Sequence, residues 1–311
     1  MAGYGIGAGG ILGIALETVA GTYVAPTKFI PFNSESLQYM QDTQFRRAIR
    51  ASADETWAVP GNAHTEGDLE MDALDDIVPY FLMCARTNTV KSGSTPNFIY
   101  TATPTGAAVP AKTMSITIVR SGEVFGYTGV VVSSFTFGIS DGTLTFTCSL
   151  VGQDEATQSA PTATWPTTSP FGAGQYSIEI PTSTPVTDAD TFEFQVEDNA
   201  EPQYRLKSTG RGAQFVKYGE RSVQTTMGRD FTSRTDYDAF KALTAQSITL
   251  TATKGANNSI SILCPTTIKE SYELGLSGQG DLVRGNITYH HLVSASNPAY
   301  TIVVKTQENI T

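Results

Sequence analysis

Along residues 130–140 the chain reads VVVSSFTFGIS, and the large apolar side chains of Phe135, Phe137 and Ile139 alternate with Thr136, Gly138 and Ser140. The same phase returns in TIKESYELGLS, where Tyr272, Leu274 and Leu276 alternate with Glu273, Gly275 and Ser277. A period of two is that of a half-buried strand, one face in a core and one facing outward. The surroundings repeat as well: Ser115, Ile116, Thr117 and Ile118 lead to Gly122, as Ser247, Ile248, Thr249 and Leu250 lead to Gly255. A chain that carries one β unit twice presents two equivalent surfaces. That points to a ring or an array and not to a single catalytic centre.

The pattern divides the chain into a Gly-rich N-terminal arm over 1–26, a first β unit over 27–155, a linker over 156–174 and a second β unit over 175–311. The arm contains a short apolar stretch at 11–16. The first unit opens with Phe29, Ile30, Pro31 and Phe32 and runs from Leu37 to Ile49, with Arg46, Arg47 and Arg50 clustered. A turn at Pro60 and Gly61 then leads to a strand with Glu66, Asp68, Glu70 and Asp72 on one face and Leu69 and Met71 on the other. A helix is predicted over 73–86, with Asp72 as N-cap, Asp75 and Asp76 at its positive end and Arg86 at its negative end. Leu74, Ile77, Phe81 and either Val78 or Leu82 form its apolar stripe, and Pro79 either kinks it or delays its start. A long insertion over 87–113 holds one extra strand at 98–102.

The second unit repeats this order. A strand at 191–196 precedes a polar hairpin or arm over 199–219 that carries Arg205, Lys207 and Arg211. A strand at 222–231 and a helix at 234–243 follow, the helix striped by Tyr237, Phe240 and Leu243, and a last strand covers 300–305. The expected fold class is mainly β: two tandem sandwich or barrel units, each with one α-helix, plus the N-terminal arm.

Composition sharpens this picture. Charged residues are only 16% of the 311, below the roughly 25% of an average globular chain. Thr, Ser and Gly fill the deficit, which fits a surface buried against copies of itself; a secreted β-protein with a hydroxyl-rich surface is the other reading. A net charge of −10 argues against a nucleic-acid binder, which needs Lys and Arg to displace counterions from phosphates. It does not argue against a surface that nucleic acid slides past. No apolar run reaches the length of a membrane span, and the N-terminus lacks the Lys or Arg of a signal peptide. Cys84, Cys148 and Cys264 are widely spaced and odd in number, so buried free thiols in a reducing cytoplasm are expected.

No motif suggests catalysis. Gly5, Gly7 and Gly10 fit a dinucleotide fingerprint in letters only, because no strand precedes them. His64, His290 and His291 do not form a metal set: the last two are adjacent on a strand and point to opposite faces. Asn257, Asn286 and Asn309 begin N-x-S/T sequences that carry no meaning without a signal peptide. The Arg46, Arg47 and Arg50 cluster suits either phosphate contact or salt bridges between subunits. The acidic stripe from Glu66 to Asp72 cannot be buried dry. It is either an ordinary solvated strand face or the wall of an aqueous channel, its field reaching about 8 to 10 Å at physiological salt.

The run Leu16-Glu17-Thr18-Val19-Ala20-Gly21-Thr22-Tyr23 through Pro26, the segments 29–32 and 34–37, and the strands GVVVSSFTFGISDG and TLTFTCSLVG resemble major tail (tail tube) proteins of long-tailed bacteriophages. The resemblance implies tail-tube-type β-sandwich or barrel units whose inner strands join those of neighbours into a barrel around a lumen. Such rings have six-fold character, and a duplicated chain resembles those in which three subunits make a pseudo-hexamer; a ring of six remains the alternative. The implied partners are other copies of the chain, the tape measure and tail terminator proteins, and DNA passing through without specific binding. The implied place is the virion tail, assembled in the bacterial cytoplasm, with no enzyme activity and no cofactor. On this resemblance Glu66, Asp68, Glu70 and Asp72 are candidates to face the lumen. Gly5, Gly7, Gly10, Arg46, Arg47, Arg50, Arg205, Lys207 and Arg211 are candidates for contacts between subunits or rings. A tail or capsid decoration protein with Ig-like, glycan-contacting domains is the rival reading, and an enzyme on a β-sandwich a more distant one.

Overall fold

The computed structural model describes residues 7–49, 54–206, 210–276 and 282–310. The first half comprises β1 (Ile11–Leu16), β2 (Lys28–Phe29), β3 (Ser34–Glu35), β4 (Gln38–Arg46), β5 (Trp57–Asp72), helix α1 (Val78–Cys84), β6 (Thr87–Ser94), β7 (Asn97–Pro104), β8 (Met114–Arg120), β9 (Glu123–Ser140), β10 (Thr143–Gly152) and β11 (Asp154–Thr157). The second comprises β12 (Tyr176–Glu179), β13 (Ala189–Glu197), β14 (Ala200–Gln203), β15 (Phe215–Tyr218), β16 (Ser222–Asp230), helix α2 (Thr235–Lys241), β17 (Gln246–Thr253), β18 (Ser259–Gly275), β19 (Arg284–His291) and β20 (Thr301–Thr306).

Strict alternation makes these strands amphipathic. In β10, Leu144, Phe146, Cys148 and Leu150 are buried while Thr145, Thr147 and Ser149 lie on the other face. Strands of this kind assemble a long antiparallel sheet in the order β4, β5, β10, β9, β13, β16, β19, β18. β3 extends the β4 border along β5. The order falls into two sets of four: β4, β5, β10, β9 from the first half and β13, β16, β19, β18 from the second. The set is therefore duplicated, and β9 joins β13 where the copies meet.

β9 and β18 are the longest strands, with 18 and 17 residues. Each leaves the long sheet at its N-terminal end and enters a second layer, β9 beside β8 and β11, β18 beside β17 and β20. The core lies between the layers. Its centre is aromatic: Phe135 stacks on Phe146 at 6.1 Å and meets Phe194 at 6.4 Å and Tyr300 at 6.3 Å. Rings from both halves thus share one apolar cluster, and aromatic pairs add about 0.5 to 1.5 kcal/mol each beyond their burial.

Local expectations needed revision in several places. The stretch 11–16 is not a free arm: it is β1, paired along all six residues with β8, with Leu12, Ile14 and Ala15 buried. Helix α1 starts at Val78, because Pro79 fits a first turn, where its missing N–H costs no bond. Asp72 therefore ends β5 and caps nothing, and all seven helix residues are buried instead of a single stripe. Pro60 and Gly61 are not a turn but lie inside β5, opposite a bulge between Gln41 and Thr43. The segment 87–113 holds a full hairpin, β6 with β7, and β7 pairs with β20 of the second half. In α2, Tyr237 and Phe240 pack on Tyr272 at 5.7 and 6.3 Å, whereas Leu243 lies beyond the helix end and turns out to solvent at 64% exposure. The linker is pinned: Phe171 is buried in the core and Trp165 meets Phe29 edge-on at 6.4 Å.

Candidate functional surfaces

Reactive groups are placed for packing. Cys84, Cys148 and Cys264 are free and buried, and burial pushes each thiol well above its ordinary range. Among the described residues no cluster of three or more His, Cys, Asp or Glu side chains is arranged for a metal. His290 and His291 do point to opposite faces. His291 is buried between the hydroxyls of Thr225 and Thr267 at 2.7 and 2.8 Å, and His290 lies beside Glu270 at the surface. A cleft of about 580 Å³ lined by Lys28, Asp75, Asp76, Trp165 and Lys254 has its charges matched already, through Lys28–Asp76 at 2.9 Å and Lys254–Asp75 at 3.0 Å.

The outward face of the long sheet is different in kind. Register places Glu70, Thr147, Thr136, Gln195, Gln224 and His290 in one row across six strands. The next row holds Asp72, Thr145, Gly138, Glu193, Thr226 and Thr288. Glu66, Asp68 and Glu70 are exposed and Asp72 is half-buried, while Leu69 and Met71 between them are in the core. Asp68 accepts from Ser149 at 2.6 Å and Glu70 from Ser34 at 3.2 Å. The second half continues the acidic character with Glu193, Glu197 and Glu273 on the same face. Arg284, at the end of β19, is held by Asp190 at 2.6 Å and Asp230 at 3.4 Å.

Where this face runs out, at Val131 and Val151, the β14–β15 hairpin covers it with Val216 and Tyr218. The segment read from sequence as a polar hairpin or arm thus contains the paired strands β14 and β15, which lie over an apolar end of the sheet. It also reaches back to the first half. Arg211 donates to Gln41 on β4 at 2.6 Å, its carbonyl accepts from Ala63 N–H at 3.0 Å, and Tyr204 pairs with His64 at 2.9 Å. Arg205 lies over the Phe215 ring at 5.2 Å. Arg46 donates to Gln44 and Arg47 to Glu55 near the exposed end of the β4–β5 hairpin. Gly7 belongs to a short 3-10 turn and Gly10 sits against Phe32. Gly5, Arg50 and Lys207 lie outside the described residues.

Buried and half-buried carboxylates that local reading missed tie the fold together. Glu17 is buried with its carboxylate accepting from Gly21, Thr113, Ser115 and Gly129 at 2.6–2.8 Å. Asp198 of the second half bonds Arg221 at 2.6 Å and faces Arg86 of the first at 3.8 Å; burial raises its carboxyl above the usual range even so. Burial acts to raise Asp236 too, yet Lys269 and Arg229 outweigh it and hold that carboxyl low. Most of their partners are distant in sequence, so a charge in an otherwise apolar context was the available hint.

The molecule is a mainly β protein in which one strand order occurs twice and the outward face of the sheet is rich in hydroxyls and carboxylates. A family model described as phage tail tube protein matches residues 7–292. The chain belongs to that family, as the resemblance of its strands implied, and its place is the virion tail. No curated relative matches it.

Proposed function

We propose that copies of this chain close into rings, that the rings stack into the tail tube, and that the face bearing Glu66, Asp68, Glu70 and Asp72 lines the lumen through which phage DNA passes. The observation that carries this reading is the extent of that polar face, which runs through both halves without interruption at their junction. A polyanion gains affinity by exchanging its counterions for Lys and Arg, and a wall of carboxylates, hydroxyls and amides gives it nothing to exchange. DNA then moves along hydrated walls with little to release at each step. The role is architectural and needs no cofactor.

Each chain brings two four-stranded sets, so three chains supply the six sets of a pseudo-hexameric ring. At about 4.8 Å between strands and a tilt near 40°, roughly 24 strands would close a barrel about 48 Å across between backbones. Tape measure and tail terminator proteins are the expected neighbours along and at the end of the tube, and the reduced, buried thiols accord with assembly in the host cytoplasm. Electron microscopy of the purified protein tests this. End-on averages should show three-fold rings with a barrel wall of that width, and side views should show stacked rings. Single particles at every concentration would overturn the proposal.

A further inference from the structure

The two copies of the repeated strand fare differently. Phe137 and Ile139 on β9 are 0% and 6% exposed, whereas their counterparts on β18, Leu274 and Leu276, are 41% and 84% exposed. The cause is a missing neighbour. β9 has β10 on one side and β13 on the other over residues 134–139. Over residues 268–275 β18 has β19 alone among the described residues. At the opposite border, among the described residues, β3 and β4 pair with β5 alone. The sheet thus ends in two open borders, one of them studded with exposed leucines, and open borders of this kind recruit strands.

The chain also contains a pattern for how the borders meet. β13 is to β16 what β3–β4 is to β5. Phe192 and Val196 face Met227 and Val223, as Glu35 and Tyr39 face Leu69 and Thr65. Leu37 is buried at the position that Phe194 holds in the second set. We infer that the border of β18 pairs antiparallel with the β3–β4 border of a second copy of this chain, in the register that β9 and β13 show within the chain. Transferring that register sets Tyr272 opposite Tyr39, Leu274 opposite Leu37, and Leu276 opposite Glu35. It also sets Glu273 opposite Gln38 and Gly275 opposite Ser36 on the polar face.

Two details fit this occupant. A cleft of about 300 Å³ lined by Gly10, Phe32, Glu35, Val119 and Arg120 opens beside β3, where Leu276 would arrive. The Leu37 carbonyl already accepts from Arg120 at 2.5 Å and from Tyr127 at 3.0 Å, so the shared backbone ladder runs from Tyr39 onward and side-chain packing carries the rest. The junction completes the outward face as well, since Glu273 and Gln38 would continue the rows that join Thr136 to Gln195.

This inference rests on the ring reading, and its test separates the two. Gln38→Cys with Glu273→Cys places thiols at directly opposed positions of the inferred junction, and the native cysteines are buried. Thr136→Cys with Gln195→Cys makes the same pair at the internal junction and should close within one chain. Under mild oxidation the first variant should form covalent oligomers ending at the ring's subunit number, at least tenfold more than Met40→Cys with Glu273→Cys, which is two residues out of register. Ser36→Cys with Gly275→Cys gives an independent pair and should behave as the first. If wild-type rings are seen and the internal pair closes, but neither intermolecular pair links, the register is wrong and the ring reading stands. If wild-type protein forms no rings, both fall.

Discussion

At the residue scale, His291 shows what the structure adds to a sequence. Neither ring nitrogen is free: a neutral imidazole donates to one threonine hydroxyl and accepts from the other, and burial away from water disfavours the charged ring. Burial, with a smaller push from His290, lowers its pKa from 6.5 to about 3. The unfolded chain therefore takes up this proton first as the pH falls. The associated stability is fully present above about pH 6.5 and declines through the window down to the folded value, by up to about 1.4 kcal/mol per pH unit. Denaturant midpoints measured from pH 6.5 to 4.5, above the range of most carboxylates, should fall for the wild type, and His291→Gln should flatten the slope. Parallel slopes in the two proteins would refute this assignment. The period of two revealed that the adjacent histidines face opposite ways, but not the threonines around one of them. Asp75 and Asp76 illustrate the same limit: read locally they suit a helix start, yet Lys254 and Lys28 from remote parts of the chain claim them.

At the element scale, alternation was a dependable guide because it reports directly on which face a strand buries. It located β5, β9, β10, β13, β16 and β18 and the acidic face of β5. It could not show that 11–16 finds an open border on β8, nor that β6–β7 leaves its own half to pair with β20, since those outcomes depend on vacancies elsewhere in the sheet. Gly67 exposes another such dependence. A Cβ there would lie 2.4 Å from Leu37 Cα, 2.5 Å from Leu37 N and 2.6 Å from Ser36 C. All three are backbone atoms that no rotamer change can move. Gly67→Ala should force the β3–β4 border off β5 and cost about 1 to 3 kcal/mol, read as a lower denaturant midpoint. Amide exchange should quicken across β3 and β4 but not across β16–β19. An unchanged midpoint would show that the close approach of Gly67 to Leu37 does not hold this border in place.

At the scale of the whole molecule, duplication links fold to role. One four-stranded set closes nothing; two sets joined at β9 and β13 make one sheet with unlike, complementary borders at its ends and one polar face throughout. If that face lines the lumen, its charge acts on DNA while the opposite, apolar face holds the subunit together, and the two are separable by mutation. Replacing Glu66, Asp68 and Glu70 with Lys changes side chains that point away from the core, at the loss of three exposed hydrogen bonds, to His64, Ser149 and Ser34. Rings and tubes should therefore still form. Each new Lys becomes a site where phosphate can release a counterion, so transit slows, and the slowing weakens with salt because counterion release does. Phage carrying the triple variant should eject their genomes several-fold more slowly than wild type at low salt and approach wild-type rates as salt rises. Normal tubes with unaltered ejection at every salt concentration would place that face on the outside of the tube.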